Sequence, residues 1–68
     1  SPEDREVLQA LLQRLEPQER QIVVLHAVAG LKHREVAQLL EMPLSTVLSK
    51  YSRSLKKLKK SLEGDEAL

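Results

Sequence analysis

Six cations crowd one stretch of the chain: Lys50, Arg53, Lys56, Lys57, Lys59 and Lys60. No acid falls between Met42 and Leu62; Glu41 precedes that stretch and Glu63 follows it. The hydroxyls of Ser45, Thr46, Ser49 and Ser52 lie among or just before the cations. Together these residue types do no covalent chemistry. They bind: cations meet phosphate by charge, and hydroxyls and helix-start amides meet it by hydrogen bonds. Arg53 has the planar fork that holds a guanine edge bidentately. The blander alternative is an amphipathic helix whose basic face is only solvated.

Other chemistry finds little support. His26 and His33 are the only histidines, without cysteine and without HExxH spacing, so no metal site is expected. His26 reads as a partly buried packing residue. His33, beside Arg34, reads as a surface residue within reach of a phosphate. Gly30 and Gly64 stand alone, so no glycine-rich loop cradles a cofactor phosphate. No histidine and carboxylate are arranged to activate a serine. The acids read as helix caps and surface groups. The expectation is no enzyme, no cofactor and no small-molecule substrate.

The candidate residues need a helix to position them. Val47, Tyr51, Leu55, Leu58 and Leu62 recur at spacings of 4, 4, 3 and 4. Residues three and four apart share a helix face, so this stripe is expected to pack inward. Ser45, Ser49, Ser52, Arg53, Lys56 and Lys60 then face outward. Small polar residues at the start of such a helix let its backbone approach a surface, as a helix lying in a nucleic-acid groove requires.

Three helices are expected upstream. Ser1 caps and Pro2 opens helix one, about residues 2–15, with Val7, Leu8, Leu11, Leu12 and Leu15 at helical spacing. Pro17 opens helix two, whose Ile22, Val23, Val24, Leu25, Val28 and Ala29 make it the most apolar and the one expected to be most buried. Gly30 is its natural stop. Helix three is short, roughly His33 to Leu40, with Val36, Ala37 and Leu40 on one face. Pro43 prevents a straight run into helix four, Leu44 to about Leu62. Residues 63–68 are acidic, contain glycine and read as a frayed tail. No period-two alternation suggests a strand. The fold class is therefore all-α: a four-helix compact domain over residues 1–68. A three-helix, homeodomain-like or winged-helix-like core with a helix-turn-helix follows an N-terminal helix.

Composition agrees with one small domain. Of 68 residues, 41% are hydrophobic and the only Phe, Trp or Tyr is Tyr51. Net charge is only +1, yet its distribution is uneven. Residues 1–41 hold five cations and seven acids, and residues 63–68 hold three acids and no cation. A basic patch is thus set against a mildly acidic body, a footprint that the total hides. The absence of cysteine fits a reducing cytosol, and no apolar run approaches the roughly 20 residues a membrane span needs. Nothing reads as a signal peptide. The start at Ser-Pro, without methionine, reads as a domain cut from a longer chain.

Residues 15–62 resemble region four of bacterial sigma factors, most closely the extracytoplasmic-function group. The pieces that carry the likeness are Leu15, Arg20, Ile22 to Leu25, Gly30-Leu31, Glu35-Val36-Ala37, Leu39-Leu40, Pro43, Ser45-Thr46-Val47, Ser49-Lys50, Arg53 and Leu55 to Leu62. The resemblance implies a domain that docks its last helix into the major groove of the −35 promoter element. It also implies contact with the β-subunit flap of RNA polymerase, masking by an anti-sigma factor, and a cytoplasmic location. Carried over by residue, Ser49, Lys50, Ser52 and Arg53 take base-facing and adjacent positions. Ser45 and Thr46 meet phosphate at the helix start, His33 and Arg34 cross the backbone, and Lys56 and Lys57 reach flanking phosphates. Four positions depart from the pattern: Glu16 stands at a usual proline, Lys32 at a usual serine or threonine cap, Glu41 at the turn glycine and Leu48 at a usual lysine. Leu48 reads equally as a thymine-methyl contact or as the rim of a protein contact. Two rival readings remain, a helix-turn-helix output domain of another regulator and a sigma-like protein-interaction domain.

Overall fold

Proline and glutamate write the helix boundaries. In the computed structural model, which describes residues 1–64, the elements are α1 (Pro2–Leu12), α2 (Pro17–Val23), a π-helical turn (Val24–Val28), α3 (His33–Leu40) and α4 (Leu44–Glu63). Among the described residues there is no strand, and the architecture is all-helical. Ser1 Oγ accepts the Asp4 amide at 3.3 Å and starts α1. Glu19 and Glu35 each lie three residues past their helix's cap and fold back onto it. Glu19 Oε1 accepts the Glu16 amide at 3.1 Å, and Glu35 Oε1 accepts the Lys32 amide at 2.8 Å. This reach-back caps α3 although Lys32 replaces the usual hydroxyl.

α1 ends three residues sooner than the leucine spacing predicts. Its last carbonyls find a partner elsewhere: Arg20 donates from Nε to Leu12 O (3.1 Å) and from Nη2 to Leu15 O (3.2 Å). Leu15 leaves the helix and is buried, while Val7 and Leu8 stay exposed. The expected leucine face of helix one is therefore only partly used.

Helix two changes character halfway. After Val23 the hydrogen bonds lengthen to a π pattern, Ala29 N donating to Val24 O at 2.9 Å. A π turn places one more residue in the ring than an α turn. The expectation that this whole helix is the most buried holds for Ile22 and Val23 but fails at Val28, which is 62% exposed. Gly30 follows at φ +83°, in the left-handed region where its missing Cβ avoids a clash.

The core is built from Ile22, Val36, Ala37 and Val47, with Leu25, Leu31, Leu40, Met42 and Tyr51 partly buried against it. The α3–α4 connection turns at Glu41, which holds the left-handed conformation (φ 55°, ψ 48°) that the family pattern gives to glycine. Met42 N donates back to Ala37 O at 2.9 Å, completing a Schellman-type end to α3. The frayed tail expected over residues 63–68 is helical at Glu63, and Gly64 closes α4 at φ 84°. Residues 65–68 lie outside the described residues.

The inward face of α4 is not the one its leucines predict. Val47 is buried, but the next full contact is Ser54, 0% exposed, whereas Leu55 is 44% and Leu62 69% exposed. At about 100° per residue, Ser54 sits nearly in line with Val47 and Leu55 lies well to one side. The buried hydroxyl is satisfied, with Ser54 Oγ donating to Lys50 O at 2.7 Å. A small residue there allows α4 to lie close against its neighbours.

Candidate nucleic-acid interface

The outer face of α4 gathers most of the residues expected to bind. Ser45, Ser49, Ser52, Arg53 and Lys56 are exposed, and beyond them so are Lys59 and Lys60, which read as solvating the end of the helix. Thr46 and Lys50 are half-buried on the flank. Hydroxyls therefore occupy the first turns of the helix and cations the later ones, with no acid before Glu63, the last residue of the helix. Buried Val47 and Ser54 fix the helix's rotation and so leave that face outward.

The start of α3 comes to the same end of the molecule. Lys32, His33, Arg34 and Glu35 line a cleft of about 570 Å³ with Leu44 and Leu48 of α4. Arg34 is exposed. One arginine, one lysine and the capping acid Glu35 thus border a single recess between two helix starts, and its two cations suit it to a phosphate. Leu44 and Leu48 give the recess an apolar wall, and both are exposed.

Two residues singled out from the sequence have partners within the fold. Lys57 Nζ donates to Glu19 Oε1 at 2.8 Å, tying α4 to α2. That hydrogen bond is the main cause lowering the Glu19 pKa, with burial opposing it, and the same bond raises the Lys57 pKa. His33 is half-buried rather than on the surface. Its ring stacks on His26 with centroids 3.7 Å apart and planes 16° apart. Tyr51 meets both rings edge-on, at 4.9 Å from His26 and 4.7 Å from His33. Burial first, and the neighbouring His26 second, lower the pKa of His33.

Neither arrangement was read from the sequence. Glu19 looked like a capping acid, which it is, but its second bond spans 38 residues and leaves no local signal. The histidine stack had a faint one: two histidines near a chain reversal, in a chain whose only tyrosine sits on the facing helix.

The model of sigma-70, region 4, matches residues 5–58. The chain belongs to the sigma-70 region 4 family. Neither a curated protein nor a solved structure matches it. Region 4 is a non-enzymatic helix-turn-helix domain that binds the −35 promoter element, and membership implies binding to promoter DNA and RNA polymerase. Among the described residues no group of three or more His, Cys, Asp or Glu could hold a metal ion. No described helix is long and apolar enough to cross a membrane. The α3–turn–α4 unit, His33 to Glu63, is the helix-turn-helix of this family member.

Proposed function

We propose that residues 1–68 form the promoter-reading domain of an alternative, extracytoplasmic-function-like sigma factor acting in the cytoplasm. α4 enters the major groove of the −35 element. Ser49, Lys50, Ser52 and Arg53 approach base edges, while Ser45 and Thr46 meet phosphate at the helix start. Arg34 and Lys56 hold the flanking backbone. His33 and Lys57 serve the interface by holding α3 and α4 in place. The reading rests on one observation: α4 turns a face of hydroxyls and cations outward, free of acids from Leu44 to Leu62, next to the start of α3. No chemistry is performed; the domain lends sequence preference to polymerase.

A second contact, with protein, is favoured by a separate feature. Leu44, Leu48, Leu55 and Leu62 are all exposed along one side of α4. Exposed leucines lined along one side of a helix offer apolar surface to a partner. The β-flap of polymerase is the occupant we favour, with an anti-sigma factor as its competitor. In the protein-only alternative this ridge is the whole function.

Fluorescence anisotropy with duplexes carrying −35-type sites tests the DNA reading, with and without polymerase. Arg53→Ala is expected to weaken binding and to relax preference at one base step by about 1–3 kcal/mol. If the variant binds and discriminates as the parent does, α4 is not reading bases through Arg53. A concentration-dependent dimer on a palindromic site would point instead to another class of regulator.

A further inference from the structure

We infer that His26, His33 and Tyr51 form a positioning clasp that seats the start of α3 on α4, and that the clasp releases when its imidazoles take up a proton. Each ring comes from a different element. His26 lies in the π turn, His33 is the first residue of α3 and Tyr51 is in α4. The imidazoles stack at 3.7 Å, and Tyr51 closes on both from the side. His26 is further fixed through Nδ1, which lies 2.7 Å from Leu31 O. A carbonyl oxygen only accepts, so Nδ1 carries the hydrogen there. Two of the three rings thus brace the loop and the helix start that lead into the proposed interface.

His33 Nδ1 is buried with no hydrogen-bond partner. A neutral imidazole can leave one nitrogen unpaired there at modest cost. A protonated one places an N–H and a positive charge in the same spot with no acceptor. The titratable group facing it from the π turn is His26, and the one from α4 is Tyr51. Lys32, Arg34 and Glu35 of its own segment border the cleft it lines. Glu35, the acid among them, already accepts the Lys32 amide. A second proton, on His26, would set two cations face to face. The lowered pKa of His33 agrees with this geometry.

The sign follows from linkage. The folded chain holds His33 below its ordinary value of 6.5, so the unfolded chain binds more protons as pH falls past that value. Stability attributable to the clasp is complete above about pH 6.5 and is lost as pH falls toward the depressed folded pKa. The consequence for DNA, which rests on the promoter-reading proposal, has a distinctive direction. Extra positive charge alone tightens phosphate binding as pH drops. Release of α3 weakens it.

The test has two independent readouts on the 68-residue chain. The first is an NMR titration of the two histidine rings, with thermal melts, from about pH 7.5 to 5. His33 should titrate below its ordinary value. The melting temperature should fall through that window, and His33→Phe should melt with little pH dependence. The second is duplex affinity over the same range, expected to drop about twofold or more in the parent and to stay level with pH in His33→Phe. A His33 that titrates at or above its ordinary value overturns the clasp, as does a fall in stability that persists in His33→Phe. Should that variant not fold, the ring titration of the parent decides by itself. If titration and melts behave as expected but no duplex binds at any pH, the clasp stands and the promoter reading fails.

Discussion

The Lys57 ammonium lies 2.8 Å from Glu19 Oε1, the oxygen that also accepts the Glu16 amide at 3.1 Å. One carboxylate therefore starts α2 and ties it to the basic helix. The Glu19 side chain is 6% exposed and that of Lys57 40%. Lys57→Met leaves the carboxylate without its partner, and the melting temperature should fall by roughly 5 °C or more. Adding Glu19→Gln removes the stranded charge and should recover part of that loss. Because Glu19 is held below its ordinary value of 4.5, its contribution is complete above that pH and fades as acid protonates the folded form. Melts of the two single variants and the double variant settle the coupling; strictly additive losses would mean the pair does not cooperate.

Ser54 makes a second prediction about the rotation of α4. It is fully buried with its hydroxyl returned to Lys50 O. Ser54→Leu inserts volume into a closed contact and should cost about 1–3 kcal/mol. Leu55→Lys changes a half-exposed position and should stay within about 0.5 kcal/mol. Urea denaturation of the two variants gives the order. The reverse ranking would restore the leucine stripe as the packing face.

That serine shows where sequence reasoning stops. Helix three was legible in place and length, because Val36, Ala37 and Leu40 repeat on one face and Pro43 bars continuation. The left-handed turn at Glu41 was legible from its place in the motif. The phase of α4 was not. Hydrophobicity favours Leu55 for the inside, whereas close approach of two helices favours a small residue, and Ser54 won. The outward set of hydroxyls and cations survives that shift because it lies on the far side of the helix from Ser54. The Glu19–Lys57 bond and the histidine stack join residues that only the tertiary fold brings together, so no local pattern announces them.

Glu41 carries backbone strain that a single change removes. Its φ of 55° places a Cβ where only glycine is comfortable. The side chain is exposed, so little packing is lost on its removal. Glu41→Gly should stabilise the chain by about 1 kcal/mol, or raise the melting temperature by roughly 4–8 °C. Differential scanning calorimetry measures it. A lower melting temperature would mean that the Glu41 side chain makes a compensating contact.

Lys56 is the position at which the proposal distinguishes phosphate binding from base reading. It is exposed on the outer face of α4, a little over one turn past Ser52 and beyond the hydroxyl-rich start of the helix. Under the promoter-reading proposal, a lysine there meets backbone oxygens as a point charge and carries no sequence information. Each phosphate it neutralises releases about one condensed counterion, which sets the dependence of affinity on salt. Lys56→Ala should therefore weaken binding to all duplexes alike and reduce the slope of log K against log salt by about one. Arg53→Ala should instead change the ranking among duplexes. Affinities measured across a salt series, on a set of single-base variants of one site, distinguish the two. A Lys56→Ala variant with an unchanged slope but altered base preference would place that lysine at a base edge and shift the reading face of α4 toward its later turns.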